Sequence, residues 1–359
     1  MKVTFILPGF PRKPVGGFRV VYEYANHLAA RGHDVYIVHH WAHSKPATVF
    51  HSLGSFTTYV KDVLRIRHAI KKWQPLSRQV KVLCVHDITT SSIPDGDAVF
   101  ATAWQTAESV MQLPGRKGKK FYMVMDFGDY FGPQEELKKT WKFPLKKIAI
   151  SRWIFNNVAV IAGTENLTYI PLGINHKIFH IKNNTDNRPY HLAMMYAPGY
   201  YKAAEDGIAA MEICKIRYPD LKAVVFGNTG SSSRNSQWIN YEYRVSNREL
   251  VQIYNSSRIF ISSSIGEGFA FPSAEAMACG CAVASTDCGG NRDYAEDGVT
   301  ALLSPPNNPK ALADNVLKLL NNEGVRKRIS IAGFERIQEF KWYRSAELLE
   351  NVLLERTRA

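Results

Sequence analysis

Short apolar runs alternate with longer amphipathic segments along almost the whole chain of 359 residues. The short runs are rich in Val, Ile and Phe, and the longer segments repeat apolar residues at helical spacing. Such alternation predicts parallel sheets covered by helices on both faces. The longest apolar runs span about 5–8 residues, short of the ~20 that cross a bilayer. The sequence therefore predicts an α/β protein, and its length predicts two domains or one large one.

The first set of predicted elements precedes a change in composition near residue 163. Its strands are Val3–Leu7, Asp34–Val38, Gln79–Val85, Ala98–Ala101, Phe121–Met125 and Val158–Ile161. Its helices include Arg19–Arg31, Tyr59–Trp73 and Thr106–Leu113. The stretch Gly163–Arg188 then breaks the rhythm with Pro171, Gly173 and a polar run, which indicates an inter-domain connection.

A second alternating set follows. Its predicted strands are Leu192–Tyr196, Lys222–Phe226, Ile259–Ser262 and Ala282–Ser285. Its predicted helices are Ala203–Arg217, Asn247–Asn255, Pro272–Cys279, Pro309–Asn321, Val325–Glu339 and Ser345–Glu355. We expect one Rossmann-like domain at 1–172, completed by a C-terminal helix at 341–359, and a second domain at 173–340; the family resemblance described below implies that the first is the acceptor side and the second binds the donor. The two domains are expected to face a central cleft.

Charge is distributed unevenly between the two halves of the chain. The formal net charge is +13, and residues 1–175 carry 23 Lys and Arg against 12 Asp and Glu. The remaining residues carry 22 against 20 and are nearly neutral. A basic first half indicates a polyanionic partner, and composition alone leaves nucleic acid, a membrane surface and phosphorylated substrates open.

The most informative segment is Ser262–Gly280, which passes from an apolar strand through a glycine-rich turn into a helix. Pro272 suits the first helical position and Gly280 suits the position after the last turn. Free amides at such a helix start, together with the helix dipole, favour a phosphate or a sugar oxygen. Glu267 precedes the helix and Glu275 lies about one turn inside it, where each carboxylate could hold a pair of hydroxyls. On spacing alone, a surface carboxylate and a helix-capping one remain the alternative.

The pattern G-E-G-F-x-x-P-x-x-E-A-M-A-C-G in this segment closely resembles the signature of glycosyltransferase family 4. Further matches flank it at 250–257, 286–291 and 297–298, and 171–175 is similar to the family's linker motif. The resemblance implies the GT-B fold, two Rossmann-like domains facing a cleft, and a retaining, metal-independent transfer of a hexose or deoxyhexose from a nucleotide sugar. It implies no cofactor other than this co-substrate, for which we expect a UDP or dTDP base.

The resemblance assigns roles to individual positions in the second domain. Glu275 matches the glutamate that holds the donor ribose, Glu267 matches the one that contacts the transferred sugar, and Lys202 matches a phosphate-binding lysine. The backbone at Gly268, Phe269, Ala270 and Phe271 would contact sugar and diphosphate. The nucleobase loop corresponds to Tyr243, Arg244 and Val245. The arginine that the family places shortly before Lys202 is absent, and Arg234, Arg244 and Arg292 are its candidate substitutes.

The first-domain loop after the first strand carries Gly16 and Gly17 before a helix. Paired glycines permit a close approach of backbone to ligand, and the loop resembles the family's loop for donor phosphate and acceptor. A plain strand-to-helix turn is the alternative. The family's catalytic histidine is absent, because Met125 stands at its position. We expect Asp126 to position or activate the acceptor hydroxyl, with His86 and Asp87 as the second candidate.

Around this position the chain resembles a subgroup that acts on surface polysaccharides and includes rhamnosyltransferases. The expected acceptor is therefore a glycan or a lipid-linked sugar. The basic segments Tyr59–Trp73 and Lys138–Lys147 mix cations with aromatic residues, which is typical of helices on an anionic membrane; a packed helix with a solvated basic face is the alternative. We expect a cytoplasmic protein, peripheral on the inner face of the membrane.

Two motifs argue for other chemistry and are set aside. Asp95-Gly96-Asp97 is formally the metal motif of another glycosyltransferase fold, but it precedes its strand and is interpreted as a turn. The five cysteines contain no C-x-x-C pair, so no metal site is expected. A non-catalytic nucleotide-sugar-binding protein of the same fold remains the alternative function. Nucleic-acid binding through the basic half is disfavoured.

Overall fold

The computed structural model describes residues 1–10, 15–40, 64, 70, 74–125, 133–182, 187–228 and 236–355. The chain divides into two compact units. The first consists of Met1–Leu172 with Trp342–Ala359, and the second of Gly173–Lys341. Each unit contains one all-parallel sheet with helices packed on it.

The sheet of the first unit has seven strands in the order β3-β2-β1-β4-β5-β6-β7. The strands are β1 (Lys2–Leu7), β2 (Asp34–His40), β3 (Lys81–Val85), β4 (Ala98–Ala101), β5 (Lys119–Val124), β6 (Lys146–Ala149) and β7 (Leu167–Tyr169). The helices are α1 (Gly16–Ala30), α2 (Trp104–Gln112), α3 (Gln134–Trp141) and α4 (Arg152–Ala162). The predicted helix Tyr59–Trp73 falls almost wholly outside the described residues.

The sheet of the second unit has six strands in the order β10-β9-β8-β11-β12-β13. The strands are β8 (Tyr190–Tyr196), β9 (Ala223–Gly227), β10 (Ile239–Tyr243), β11 (Ser257–Ser262), β12 (Ala282–Thr286) and β13 (Leu302–Ser304). The helices are α5 (Ala204–Arg217), α6 (Asn247–Asn255), α7 (Phe271–Ala278), α8 (Pro309–Asn321) and α9 (Glu323–Ile337).

A last helix, α10 (Trp342–Leu353), returns to the first unit. The Trp342 ring packs edge-on against Tyr24 of α1, with centroids 5.5 Å apart. Glu350 accepts hydrogen bonds from Arg31 at 2.8 Å and from His33 at 2.8 Å. The Arg31 guanidinium lowers the pKa of Glu350 first of all, and His33 lowers it further.

One of the predicted strands is wrong. Val158–Ile161 is part of α4, because the Ser151 hydroxyl caps the amide of Ile154 at 3.3 Å and the helix ends at Gly163, whose φ is 72°. The strand propensity of its β-branched residues is thus overruled by the caps. Gly163–Arg188 contains the boundary between the two units, after Leu172, and it also contains β7 and buries Phe179 and Arg188.

No helix in the described part of the chain is long and apolar enough to cross a bilayer. The residues that line each core come from both faces of its sheet. In the first unit, Phe5, Phe100 and Phe121 stack across neighbouring strands with successive centroids 4.7 Å apart.

Candidate functional site

The strand order of the second unit reverses between β8 and β11, which are neighbours in the sheet. Connections leave β8 and β11 toward opposite sides at this point, so their carboxyl ends leave a crevice in which ligands bind. The loop after β8 carries Lys202, and the loop after β11 carries Glu267. The topology therefore brings together two residues that are 65 positions apart in sequence.

Lys202 and Glu267 form a direct ion pair. The Lys202 Nζ donates to Glu267 Oε1 at 2.5 Å, and the two side chains are 17% and 13% exposed. Burial by itself lowers the pKa of Lys202, but the charge and hydrogen bond of Glu267 outweigh it, so the pKa is raised. The ammonium therefore stays charged at neutral pH and is available to an anion.

Short hydrogen bonds hold the two loops against each other. Ser264 Oγ donates to Glu267 Oε1 at 2.7 Å. The Ile265 amide donates to the Tyr201 carbonyl at 2.7 Å, and Ser263 Oγ donates to the Lys202 carbonyl at 3.3 Å. The pair thus lies on two loops whose backbones are fixed to each other as well as to their strands.

The loop of Glu267 also packs on the turn after β12. The Glu267 amide donates to the Cys288 carbonyl at 3.0 Å, and the Gly290 amide donates to the Glu267 carbonyl at 3.1 Å. A Cβ at Gly290 would lie 2.3 Å from that carbonyl oxygen and 2.4 Å from the Gly268 carbonyl carbon. Only glycine fits this approach, which explains the paired glycines in the flanking motif.

Helix α7 begins beside the pair in a strained conformation. Ala270 caps it with φ 62°, in the left-handed region, and its carbonyl accepts from Tyr294 Oη at 2.7 Å. The ring of Phe269 is buried against Phe271 and Tyr294. Non-glycine residues keep such a φ only where the surroundings enforce it, and these sites are commonly functional.

Glu275 lies inside α7 and is only 3% exposed. Tyr254 Oη, at the end of α6, donates to Glu275 Oε2 at 3.4 Å. Tyr254 itself is surrounded by aromatic rings, including Phe226 and Phe260. The carboxylate is therefore oriented by a phenol that cannot itself move freely.

A pocket opens where these elements meet, with an empty volume of about 310 Å³ that includes open solvent. It is lined by loop backbone, hydroxyls, the ion pair and the start of α7. Its lining residues are Met195, Lys202, Phe260, Ile261, Ser262, Ser263, Ser264, Glu267, Ala270 and Pro272. The combination of a cation, hydroxyls and helix-start amides suits a ligand that carries both phosphate and hydroxyl groups.

The predicted nucleobase loop lies at the carboxyl end of β10, on the same edge of the sheet. Tyr243 and Arg244 are exposed, Val245 is half-buried, and the Arg244 guanidinium stacks 4.9 Å from the centre of the Tyr243 ring. Arg244 has φ 53° and donates its amide to Gly227 at 2.8 Å.

The candidate substitutes for the absent arginine have different surroundings. Arg292 binds both oxygens of Asp287 at 2.7 and 2.8 Å, and this bond holds the pKa of Asp287 below its usual range. Arg244 is stacked as described, and Arg234 lies outside the described residues.

In the first unit, Gly16 and Gly17 begin α1 directly after Val15. A Cβ at Gly17 would meet the methyl group of Met125 at 3.5 Å, an ordinary contact. Asp126 lies outside the described residues. His86 and Asp87 form an exposed pair, Nδ1 to Oδ2 at 2.8 Å, so the second candidate is a solvated strand-end pair.

A buried histidine that the sequence analysis did not single out holds the loop after β1. His39, at the end of β2, donates from Nδ1 to the Gly9 carbonyl at 2.8 Å, so its Nε2 accepts from Tyr22 Oη at 3.4 Å. The ring stacks on Phe10 with centroids 5.6 Å apart. Burial lowers the pKa of His39 to about 4, against the raising effect of the Gly9 hydrogen bond. The β1–β2 pairing sets His39 beside Leu7, a proximity that a single strand pattern does not reveal.

Asp95-Gly96-Asp97, predicted to be a turn, is the segment that leads into β4, with a bend at Asp97. Lys117 Nζ donates to Asp95 Oδ1 at 2.6 Å, and the Lys2 amide donates to Asp97 Oδ2 at 2.6 Å. Among the described residues, no group of three or more His, Cys, Asp or Glu side chains is placed to hold a metal ion.

The basic stretch Lys138–Lys147 is more internal than its composition indicates. Trp141 is buried, and the Lys147 ammonium donates to the carbonyls of Phe143 and Leu145 at 2.8 and 3.0 Å. Lys146 pairs with Glu355 at 2.7 Å. The interpretation of this stretch as a continuous cationic and aromatic surface is therefore wrong for Trp141 and Lys147, which are buried.

Besides Lys146, three lysines of the stretch lie at the surface. They border a groove between α3 and α4 with an empty volume of about 760 Å³. The groove is lined by Glu135, Lys138, Lys139, Lys142 and Ile161.

Comparison with known proteins bears on this arrangement. Residues 175–336 match the family model of the glycosyl transferases group 1. D-inositol 3-phosphate glycosyltransferase of Corynebacterium diphtheriae is 32% identical over 104 residues, 29% of this chain and 24% of that protein. O-antigen chain mannosyltransferase B of Escherichia coli is 29% identical over 105 residues, 29% of this chain and 27% of that protein. The matched region thus spans about a quarter of the length of these curated relatives.

Solved structures match over nearly the full chain. Anabaena HepE in complex with UDP-glucose superposes with a TM-score of 0.73 at 14% identity, covering 99% of this chain and 100% of that one. TarM of S. aureus gives a TM-score of 0.76 at 10% identity, covering 98% and 99%. Both units thus match glycosyltransferase structures, and the predicted GT-B fold of two parallel-sheet α/β domains is confirmed.

Proposed function

We propose that this protein transfers a sugar from a nucleotide-sugar donor. The premise is that residues 175–336 match the glycosyl transferases group 1 and belong to a chain with the GT-B fold. The observation that carries the proposal is the half-buried Lys202–Glu267 pair at the strand-order reversal, beside the start of α7. A cation and the amides at a helix start bind a diphosphate, and carboxylates accept hydrogen bonds from hydroxyls. The pocket thus offers complementary groups to the diphosphate and to the transferred sugar of such a donor.

In the proposed reaction the donor ribose binds Glu275 and the transferred sugar binds Glu267. Lys202 and the amides from Gly268 to Phe271 stabilise the charge that develops on the leaving diphosphate, which is electrostatic preorganisation. The acceptor attacks the same face that the diphosphate leaves, and the departing phosphate takes the acceptor proton, so the anomeric configuration is retained. No side-chain nucleophile takes part, and no metal ion is needed, because Lys202 supplies the positive charge. Asp126 is proposed to position the acceptor hydroxyl.

The proposed donor is a UDP- or dTDP-linked hexose or deoxyhexose, and the proposed acceptor is a glycan or lipid-linked sugar in cell-surface polysaccharide synthesis. Support for the acceptor class comes from relatives named for O-antigen synthesis, including O-antigen biosynthesis protein RfbC of Myxococcus xanthus, 24% identical over 70% of this chain. Support for the donor class comes from the structural neighbour that contains UDP-glucose.

A thermal-shift screen against a panel of nucleotide sugars tests the donor. A ligand that binds the native state raises the melting temperature, and we expect a clear shift with UDP- or dTDP-sugars. Shifts confined to GDP- or ADP-sugars would overturn the donor assignment. Glycosylation of an acceptor extract that disappears in Glu267→Ala supports catalysis. Donor binding without any transfer would instead favour the non-catalytic alternative.

We also propose that the first unit contacts an anionic membrane through the groove between α3 and α4. Lys139 and Lys142 are exposed beside it, and Val160 of α4 is 88% exposed. Cations flanking exposed aliphatic side chains suit the anionic headgroup region of a bilayer.

Sedimentation with phosphatidylglycerol vesicles tests this contact. Replacing Lys138, Lys139 and Lys142 by Ala is expected to abolish it. Replacing the exposed Lys177, Lys310 and Lys318 of the second unit, which removes the same charge, is expected to preserve it. Equal loss in both variants would refute a specific surface.

A further inference from the structure

Arg188 is a fully buried arginine in the second unit, 2% exposed and two residues before β8. A buried guanidinium is costly unless its donors are satisfied by well-placed acceptors. The acceptors here are backbone carbonyls and one thiol, which engage Nη1 and Nη2, while the buried Nε has no hydrogen-bond partner among the described residues. Arg188 Nη1 donates to the Ser257 carbonyl at 2.7 Å, and Nη2 donates to the Cys279 carbonyl at 2.6 Å.

Ser257 is the first residue of β11, whereas the other carbonyl acceptors lie at the carboxyl ends of two helices. Nη1 also reaches the Tyr254 carbonyl in the last turn of α6 at 3.3 Å, and the Gly280 carbonyl just beyond α7 at 3.1 Å. The carboxyl end of a helix carries unpaired carbonyls and about half a negative charge, so a cation there is favourable. One guanidinium therefore joins the ends of α6 and α7.

The same two helices carry a second contact with each other. Tyr254 Oη on α6 donates to Glu275 Oε2 on α7 at 3.4 Å. Glu275 lies one turn before Cys279, whose amide donates to the Glu275 carbonyl at 3.1 Å. A change in the distance between the helix ends at Arg188 would therefore move the Glu275 carboxylate relative to Tyr254.

The surroundings leave little room for this spacing to adjust. Gly280 has φ 77°, and a Cβ there would lie 3.2 Å from Arg188 Nη2 and 3.1 Å from Ile181 Cδ1. The Arg188 carbonyl accepts from Arg258 Nε at 3.2 Å, which fixes the backbone from which the side chain extends. Both terminal nitrogens of the guanidinium are bonded and the backbone of Arg188 is fixed, so the side chain acts as a rigid spacer rather than a mobile charge.

We propose that Arg188 is a positioning residue for the nucleotide half of the donor site. By joining the ends of α6 and α7 it fixes the distance at which Tyr254 presents the Glu275 carboxylate. This inference rests on the proposed function. It assigns to Arg188 an effect on donor affinity rather than on the transfer step, because Lys202 and Glu267 lie on other loops.

The test uses the full chain with Arg188→Lys and Arg188→Met, and Leu319→Ala as a matched control. Leu319 is buried in the core of the second unit on α8, and its truncation lowers stability without touching α6 or α7. Binding of UDP and of dTDP is measured by calorimetry, thermal midpoints are recorded, and KM and kcat are determined with the donor that the screen identifies.

We expect Arg188→Met to raise the Kd and the donor KM by about tenfold or more, since a small misplacement of a binding group costs affinity steeply. The kcat is expected to change by less than about threefold, because Lys202 and Glu267 lie on other loops and continue to stabilise the developing charge. Arg188→Lys keeps the charge but loses the planar guanidinium. Its Kd and donor KM should therefore lie between those of the unmodified protein and those of Arg188→Met. Leu319→Ala should lose thermal stability with its Kd unchanged.

Two outcomes overturn the inference: a Kd for Arg188→Lys equal to that of the unmodified protein, or a Kd for Leu319→Ala that rises as much as that of the arginine variants. If Arg188→Met does not fold, Arg188→Lys carries the comparison. If the unmodified protein binds neither UDP nor dTDP, the proposed donor class itself fails. If UDP or dTDP binds every variant with the Kd of the unmodified protein, the role of Arg188 is refuted and the proposed donor class is not.

Discussion

The Lys202 ammonium lies 2.5 Å from Glu267 Oε1, and Ser264 Oγ lies 2.7 Å from the same oxygen. A donor that places its diphosphate at Lys202 and its sugar at Glu267 must replace this ion pair with its own groups. The ion pair therefore fixes the position of both side chains until the ligand binds, and each side chain then contacts the ligand instead of the other.

We expect Lys202→Met to reduce kcat by about 10²–10³-fold, the usual cost of removing one preorganised group that stabilises developing charge. Glu267→Gln keeps the shape and should reduce kcat/KM as well, because the amide accepts hydrogen bonds more weakly than the carboxylate does. Steady-state kinetics of both variants and of the double variant provide the measurement. Effects that simply add would show that the two groups act independently of each other.

Gly290→Ala is expected to abolish most of the transfer activity and to lower the thermal midpoint. The added methyl would lie 2.3 Å from the Glu267 carbonyl oxygen, so the loop that carries Glu267 must shift. Gly324→Ala is the matched control, since its methyl would meet only Asn322 Oδ1 at 3.5 Å. Unchanged kinetics in Gly290→Ala would refute the role of this close approach.

Metal removal is expected to leave the initial rate unchanged. Asp95 and Asp97 are already engaged by Lys117 and by the Lys2 amide, and Lys202 supplies a fixed cation in the pocket. Rates measured after dialysis against EDTA, with and without added Mg²⁺, test this. A rate that falls with EDTA and returns with Mg²⁺ would contradict the proposed mechanism.

Acid is expected to destabilise the first unit through His39. Burial lowers the pKa of His39 to about 4, whereas the unfolded residue titrates near 6.5, so only the unfolded state takes up a proton between these values. The contribution of neutral His39 to the free energy of unfolding is thus present above pH ~6.5. It is lost as the pH falls toward 4, by up to about 3 kcal/mol. Urea unfolding at pH 7 and pH 5 measures the loss, and it should be smaller in His39→Gln. An equal loss in that variant would assign the effect to other groups.

The alternating pattern was sufficient to predict the α/β class and most elements to within a few residues, because the apolar periodicity is strong in both units. Asn247–Asn255 and Pro309–Asn321 were predicted with their observed bounds. The strand Lys146–Ala149 was missed, since two lysines begin it and its apolar part is short. The helix at 152–162 was mistaken for a strand because the run of Val and Ile outweighed its caps.

The candidate site divides in the same way. Motif resemblance singled out Lys202, Glu267 and Glu275, but the ion pair between the first two depends on the adjacency of β8 and β11, which no local pattern contains. Arg188 stands at the end of a polar run, where composition indicates a solvated loop. Its burial arises from helix ends 66 to 92 residues later in the chain, and only the folded topology reveals them.

The return of α10 to the first unit has a consequence for biosynthesis. The contacts of Trp342 with Tyr24 and of Glu350 with Arg31 join residues about 320 positions apart, so they form only after the whole of the second unit has left the ribosome. Domains generally fold as they emerge, the N-terminal one first. In this chain the order of completion is inverted. All residues of the second unit are translated before the last helix of the first unit. Until that helix has been translated, part of α1 in the first unit stays uncovered.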